Sequence, residues 1–158
     1  MLYAWRIGID TPDYTADNMT GEGAKCTGGR WNRKGTAMLY ASSSIALACL
    51  ETLVHINSFS LPLNRYLVRI DIPAEVYKCR QIINAKDLEI GWDAVPEGKI
   101  SIDVGQQWIA SMASAVLQVP SVIVPEELNV LLNPAHPDCS KITASKIRRY
   151  QYDPRLNF

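Results

Sequence analysis

The chain lacks an excess of charge of either sign, because its sixteen Lys and Arg balance sixteen Asp and Glu over 158 residues. General binders of nucleic acid or anionic membranes carry a basic excess that displaces counterions, so this balance argues against both classes. No apolar run is long enough for a membrane-spanning helix, since even the uncharged stretch from Gly105 to Pro125 contains several Gln and Ser residues. A local anion site is still compatible with a net charge of zero.

Metal-binding and secretion patterns are also lacking. The four cysteines form no Cys-x-x-Cys pair, and His55 and His136 stand at no metal-motif spacing from any of them. We therefore expect reduced cysteines packed as small core residues, and no metal site. The residues from Met1 to Arg6 do not follow the basic-then-apolar order of a signal peptide, so the expected compartment is the cytoplasm.

Common nucleotide-binding and nucleophile motifs are missing too. Gly21-Glu22-Gly23 resembles the start of a dinucleotide fingerprint, but no third glycine follows at the required offset and no helix is predicted to begin there. No Walker loop, kinase signature or Gly-x-Ser-x-Gly elbow occurs.

The apolar pattern that is present predicts many short strands and two longer helices. Residues 10–34 are rich in turn residues and predict a long loop. No linker, repeat or low-complexity tract interrupts the chain, so we expect one domain over residues 1–158. Because strands and helices do not alternate strictly, the pattern predicts an α+β fold with mixed or antiparallel sheets and a few helices. Strands are predicted at 2–8, 36–41, 65–72, 76–83, 121–124 and 129–132, and helices at 45–56 and from 103 or 104 to 117. Residues 142–152 are predicted as a last strand, although their Lys-Ile-Arg-Arg sequence would suit a helix too.

The glycine-rich segment 28–35 is the first candidate site. Its two leading glycines allow close backbone approach, and Arg30, Trp31 and Asn32 then offer a guanidinium, an indole and an amide. Arginine binds phosphate oxygens through a planar two-pronged contact, and a neighbouring aromatic ring stacks on a base. The alternative is a solvated turn with Trp31 tucked into the core.

Glu51 is the second candidate. It lies in the middle of the predicted helix 45–56, on a narrow polar strip with Ala48, Thr52 and His55. Such a strip suits a carboxylate that lines a cleft. The alternative is a surface Glu51 paired with His55 four residues later.

Further polar candidates are Tyr40, Ser121, Asn133 and His136. The structural alternatives are simple packing for Tyr40, a strand-end hydroxyl bonded to backbone for Ser121, and a turn cap for Asn133. Spacing alone indicates a cleft with an anion site and a carboxylate, and it assembles no acid–base pair.

Taken in order, these segments resemble the RES-domain family, which is named for an arginine, a glutamate and a serine. Those residues fall here on Arg30, Glu51 and Ser121. Residues 72–102 match no part of the family pattern, as expected of a variable region. The matching blocks are Gly28-Gly29-Arg30-Trp31-Asn32, then 39–42 with 46–51 and 54–55, then 119–125, 129–137 and 152–156.

The resemblance implies the toxin of a bacterial type II toxin–antitoxin system, with a fold similar to that of ADP-ribosyltransferases. The implied activity is depletion of NAD⁺ through cleavage of the bond between nicotinamide and ribose, with water or phosphate as acceptor. NAD⁺ is then the substrate, with no further cofactor. The implied partner is an antitoxin with a Xre-like helix-turn-helix region, bound to a toxin homodimer in a larger complex. Direct contact of the toxin with nucleic acid or membrane is not implied.

Under this resemblance the catalytic candidates are Arg30, Tyr40, Glu51 and Ser121. Arg30 holds the pyrophosphate, while Glu51 stabilises positive charge on the ribose or holds a ribose hydroxyl. Tyr40 packs against or hydrogen-bonds to the nicotinamide–ribose end, and Ser121 holds the ribose or the nicotinamide amide. The remaining expected substrate contacts are Trp31 and Asn32, Asn133 and His136 at the rim, and Arg6 as a second phosphate contact.

Two other functions stay open from the sequence. One is an ADP-ribosyltransferase that modifies a protein, which uses the same fold with a different acceptor. The other is a catalytically inactive domain that only binds a regulator. The sequence does not distinguish water, phosphate and protein as acceptors.

Overall fold

The computed structural model describes residues 2–56 and 63–156, in which strands outnumber helices. No helix within these ranges is long and apolar enough to cross a membrane. The elements are β1 (Leu2–Ile9), α1 (Glu22–Thr27), β2 (Leu39–Ser42), α2 (Ile45–Leu53), β3 (Arg65–Ile72), α3 (Ala74–Lys78), β4 (Gln81–Ile82), α4 (Lys99–Ser111), β5 (Val116–Pro120), β6 (Leu128–Leu132) and β7 (Thr143–Arg149).

The strands form one seven-stranded sheet in the order β4-β5-β6-β2-β1-β3-β7. Every neighbouring pair is antiparallel except β4 with β5. This mixed sheet with a few helices confirms the predicted fold class. Its centre brings together β1, β2 and β6, which lie far apart in the chain.

Alternation along the strands sends apolar side chains to both faces of the sheet. Ala4, Val68 and Ile70 point to one face, where they form the largest core cluster. Ile7 and Leu67 point to the opposite face and pack beneath α2. On that same face a second group, which we call the tryptophan cluster, covers β5 and β6. It comprises Trp31, Met38, Trp92, Trp108, Leu117, Val119 and Leu131.

The predicted strand at 76–83 is wrong. Pro73 has a φ of −57° and is followed by α3, while only Gln81–Ile82 is extended. Proline favours the start of a helix because its fixed φ suits helical geometry and its missing N–H is not needed there. Val76, which resembled an inward strand residue, is buried from the helix instead.

The second long helix begins and ends earlier than predicted. α4 spans Lys99–Ser111 and ends at Met112, which has a left-handed φ of 53°. Val116, which lies inside the predicted helix, starts β5 instead. The turn that follows β5 occupies 121–124, where a strand was predicted. Buried apolar runs of this length fit either element by periodicity alone.

The predicted long loop 10–34 contains the short helix α1, so a helix does begin at Glu22. Gly21, at its N-cap, has a φ of 74°, a left-handed conformation that favours glycine. The strand β1 does not lead directly into this helix, as a dinucleotide-binding turn would require, because residues 10–21 separate them.

Gly105 lets α4 pack directly on the glycine-rich segment. A Cβ on Gly105 would lie 1.7 Å from the carbonyl oxygen of Trp31, so only glycine fits at this contact. The next residue, Gln106, accepts a hydrogen bond from the Arg33 backbone N–H at 3.0 Å and donates one to Thr36 Oγ1 at 3.1 Å. These contacts fix the backbone that carries Arg30 and Trp31.

The Gly105→Ala variant should lower the free energy of unfolding by about 3 kcal/mol, because the added methyl group forces α4 away from Trp31. Urea unfolding followed by circular dichroism measures the change. Gln107→Ala, at an exposed position of the same helix, should stay within about 0.5 kcal/mol of the parent. Equal stability of the two variants would contradict the proposed close contact.

Candidate active site

A row of side chains crosses four adjacent strands on the face that carries α2. Its cross-strand pairs are Trp5 with Ser42, Ser42 with Asn129, and Asn129 with Val119. Residues directly opposite one another share a face of the sheet. Trp5 packs with the α2 cluster and Val119 with the tryptophan cluster. The polar middle of the row, Ser42 and Asn129, therefore lies in the gap between two apolar clusters.

Helix α2 brings Glu51 to this polar gap. The helix is capped by Ser44, whose side chain accepts a hydrogen bond from the Leu47 backbone N–H at 3.1 Å. Glu51 Oε1 accepts hydrogen bonds from Ser121 Oγ at 2.7 Å and Asn129 Nδ2 at 2.6 Å. No described residue donates to its other oxygen, Oε2, and the alternative pairing with His55 does not occur within the described ranges.

Ser121 orients Glu51 and has no hydrogen-bonding capacity to spare. It is fully buried, and its Oγ accepts the backbone N–H groups of Ile123 at 3.1 Å and Val124 at 3.2 Å. A hydroxyl has two lone pairs and one hydrogen, so with both lone pairs occupied its O–H donates to Glu51. Direct contact of Ser121 with a ribose or an amide would require it to give up one of these bonds.

Asn129 and Ser42 complete the cluster, although sequence reasoning gave neither of them a role. Asn129 Oδ1 accepts a hydrogen bond from Ser42 Oγ at 2.8 Å, which leaves Nδ2 to donate to Glu51. The available signal was an amide within the apolar strand Leu128–Leu132, because a polar group in such a place needs a partner. The partner comes from strand pairing and cannot be read from periodicity.

Tyr40 lies two residues before Ser42 and so points to the same face of β2. Its hydroxyl donates to Asn32 Oδ1 at 2.6 Å and accepts the Trp31 backbone N–H at 3.0 Å. Burial raises the pKa of Tyr40 well above its usual value, so the phenol stays neutral. The hydroxyl is engaged with the glycine-rich segment, and the ring is the part left for a ligand.

Trp31 and Asn32 support the site from behind. Trp31 is 2% exposed and Asn32 fully buried, so the alternative with Trp31 tucked into the core is the one observed. Asn32 Nδ2 donates to the backbone oxygens of Ala24, Arg33 and Thr36. Both residues hydrogen-bond to the Tyr40 hydroxyl, and their contact with a substrate stays a prediction.

Arg30 is half-buried and is held by the chain between β4 and α4. Its Nη1 donates to the backbone oxygens of Trp92 at 3.1 Å and Ala94 at 2.9 Å. The preceding Gly29 leaves room for Tyr40, because a Cβ there would lie 2.9 Å from the phenolic oxygen. Arg30 therefore lies near Tyr40 at the glycine-rich segment, and Glu51 and Ser121 form a separate hydrogen-bonded group.

Arg6 lies on the opposite face of the sheet from Ser42 and Asn129, although it lines one cavity together with Tyr40. It pairs with Val68, whose side chain belongs to the opposite face of the sheet. Its Nη2 donates to the backbone oxygens of Ala16 at 2.6 Å and Asn18 at 2.9 Å. Burial lowers the pKa of Arg6 to about 10, and nearby Asp17 counteracts the shift. The second phosphate contact predicted for Arg6 gains no support from this placement.

Asn133 and His136 lie beyond the end of β6 that is remote from Asn129. Asn133 Oδ1 accepts the Ala135 backbone N–H at 3.0 Å, and His136 Nδ1 accepts that of Asp138 at 3.1 Å. Both side chains cap the local turn, which was the alternative for Asn133. Their role at the rim of a substrate site stays a prediction.

Known proteins resemble the chain over nearly its full length. A family model described as RES domain matches residues 3–153. A Sphingobium protein (strain YBL2) named "Prs ADP-ribosylating toxin" is 57% identical over 152 residues, which cover 96% of this chain and 94% of that protein. A Yersinia enterocolitica protein named "Toxin Res" is 39% identical over 144 residues, which cover 90% of this chain and 93% of that protein.

A solved structure shows the same fold. It is the crystal structure of the M. tuberculosis MbcT–MbcA toxin–antitoxin complex, to which this chain aligns with a TM-score of 0.67 and 15% identity. The alignment covers 93% of this chain and 84% of the other. At this level of identity the similarity concerns the arrangement of strands and helices.

The Ser121→Ala variant should lower the free energy of unfolding by about 1–3 kcal/mol, because two backbone N–H groups and Glu51 each lose a partner. Thermal and urea unfolding measure the loss. Ser43→Ala, at an exposed position, provides a matched control that should change stability by less than about 0.5 kcal/mol. If Ser121→Ala were as stable as Ser43→Ala, Ser121 would not be the hydrogen-bonding centre of this turn.

Proposed function

The chain belongs to the RES-domain family, and we propose that it is a toxin of a toxin–antitoxin system that breaks the bond between nicotinamide and ribose in NAD⁺. The observation that carries this proposal is the state of the Glu51 carboxylate. Its Oε1 is fixed by Ser121 and Asn129, while Oε2 has no donor among the described residues. A carboxylate oriented in this way can contact a ligand through its second oxygen.

Glu51 supplies the electrostatic part of the proposed reaction. Cleavage of the bond to nicotinamide develops positive charge on the ribose ring, as in glycoside hydrolysis. A carboxylate already held in place stabilises that charge without reorganising during the reaction. Oε2 of Glu51 faces the ribose in this mechanism, while Oε1 keeps its two hydrogen bonds.

No general acid is needed to release nicotinamide. The electron pair of the broken carbon–nitrogen bond leaves with nicotinamide, which departs as a neutral molecule. The acceptor forms a new bond to the ribose carbon and loses its proton to solvent. This accounting agrees with a site built around one carboxylate, Glu51, and a phenol that stays neutral, Tyr40.

Arg30 and Tyr40 bind the substrate in this proposal. The guanidinium of Arg30 pairs with the pyrophosphate, since a planar fork of N–H donors matches phosphate oxygens. The ring of Tyr40 packs against the nicotinamide–ribose end because its hydroxyl is already engaged by Trp31 and Asn32. Ser121 and Asn129 act through Glu51.

The acceptor is proposed to be a protein. The relative that is 57% identical is named an ADP-ribosylating toxin of Prs, and this name favours transfer of ADP-ribose to a protein over transfer to water or phosphate. The same bond to nicotinamide breaks in all three cases. Hydrolysis and phosphorolysis are therefore the competing outcomes of one experiment.

The partner is proposed to be a Xre-like antitoxin that binds a toxin homodimer in the cytoplasm. Support comes from the toxin names of the relatives and from the fold shared with a chain of a toxin–antitoxin complex. A catalytically inactive regulator-binding domain is the less favoured alternative. Such a domain would have no need for a carboxylate with one oxygen held by two donors and the other left without a donor among the described residues.

Glu51→Gln should reduce nicotinamide release from NAD⁺ by about 10²–10³-fold, because the amide keeps the shape of the side chain but loses the charge that stabilises the ribose cation. Release is followed by chromatography of reaction mixtures that contain NAD⁺, the purified, antitoxin-free toxin and purified Prs as the proposed acceptor. Glu75→Gln, at an exposed position of α3, is the matched control and should retain full activity. Unchanged turnover in Glu51→Gln would remove Glu51 from the mechanism, and no release by the parent protein would reject the proposed activity.

NAD⁺ labelled in its adenosine part identifies the acceptor. The toxin and the labelled NAD⁺ are incubated with purified Prs, the protein in the relative's name. The label should then appear on Prs, as detected by intact mass. The Glu51→Gln variant should transfer about 10²–10³-fold less label to Prs. Label found only in free ADP-ribose or a phosphorylated ADP-ribose, with Prs unmodified, would assign water or phosphate as the acceptor instead.

A further inference from the structure

Trp92 anchors the segment 88–98, which leads from the sheet edge to α4. It is 7% exposed and stacks on Trp31 with ring centroids 6.3 Å apart and an interplanar angle of 29°. Its neighbours are largely in solvent, since Ile90 is 98% exposed and Val95 82% exposed. Trp92 therefore determines where the backbone of this segment lies.

The anchored backbone meets one nitrogen of Arg30. The backbone oxygens of Trp92 and Ala94 both accept hydrogen bonds from Nη1, at 3.1 Å and 2.9 Å. A guanidinium has five N–H donors, of which Nη1 carries two. Within the described ranges, Nε and Nη2 have no protein acceptor. The edge formed by Nε and Nη2 thus keeps three donors for a ligand.

The segment holds Arg30 without neutralising it. Asp93 and Glu97 belong to the same segment, yet neither forms an ion pair with Arg30 among the described residues. A carboxylate partner would compete with an anionic ligand for the positive charge, whereas a backbone carbonyl orients the guanidinium and leaves its charge in place.

We propose that Trp92 is a positioning residue that fixes Arg30 through the backbone oxygens of residues 92 and 94, so that the Nε–Nη2 edge presents a two-pronged site to a phosphate of the substrate. This inference rests on the proposed function for the identity of that substrate. It assigns a task to the segment 88–98. The planar fork is essential, because a lysine ammonium cannot satisfy both carbonyls and still offer a second pair of fixed donors.

The test compares Trp92→Ala, Trp92→Phe and Ile90→Ala in the full chain. Trp92→Ala should raise KM for NAD⁺ about tenfold with little change in kcat, because the orientation of a binding group is lost. It should weaken binding of inorganic pyrophosphate, measured by calorimetry, by a similar factor. Trp92→Phe keeps an aromatic ring against Trp31 and should restore both constants to within about threefold of the parent. Ile90→Ala should match the parent.

A double-mutant cycle shows whether Trp92 acts through Arg30. In an Arg30→Lys background, Trp92→Ala should change KM and pyrophosphate affinity by less than about twofold, because the group it positions has already gone. An equally large effect in that background would overturn the proposal, as would a folded Trp92→Ala with parental KM and pyrophosphate affinity. If Trp92→Ala does not fold, Trp92→Leu takes its place in the same cycle.

The two proposals fail in different ways. A parent protein that binds pyrophosphate but releases no nicotinamide rejects the proposed activity, and the pyrophosphate measurements then still decide the role of Trp92. If the parent protein turns over NAD⁺ and Trp92→Ala changes neither KM nor pyrophosphate affinity, only the positioning role of Trp92 is rejected. A parent protein without affinity for pyrophosphate overturns the assignment of Arg30 and with it the role of Trp92.

Discussion

The two hydrogen bonds donated to Glu51 Oε1 are the constraint on which the site depends. They join a helix to the end of β5 and the start of β6, so all three must be in place before the carboxylate is oriented. The position of Asn129 depends in turn on strand register. A shift of one residue would send its side chain to the opposite face, into the space that Val130 and Leu132 occupy in the main core. The apolar core thereby determines the orientation of a polar group.

The local sequence pattern predicted those elements in which apolar and polar residues alternate clearly or whose first residue is well marked. The strand Arg65–Ile72 appears with the predicted bounds, and the helix at Ile45 begins at the predicted residue, after a serine cap. Elements in continuous apolar stretches were less accessible. Val116 fits a buried strand as well as a buried helix. Which of the two elements forms depends on a sheet that is assembled from segments distant in the chain.

The candidate site shows the same division. Arg30, Glu51 and Ser121 stood out through resemblance to a family, whereas spacing alone left each with an ordinary structural explanation. Asn129 was missed because its position in the site depends on pairing with Ser42 in β2, the neighbouring strand of the sheet. Tyr40 was expected beside the substrate. Its hydroxyl, however, forms hydrogen bonds with Asn32 and Trp31, and these bonds depend on how the glycine-rich segment packs.

The contact between Arg30 and residues 92 and 94 uses main-chain oxygens, and this has an evolutionary consequence. Every amino acid carries a backbone carbonyl, so substitution of an exposed side chain in this segment removes neither of the two acceptors. The surface chemistry around Arg30 can therefore change through side chains without any change in the groups that Arg30 contacts.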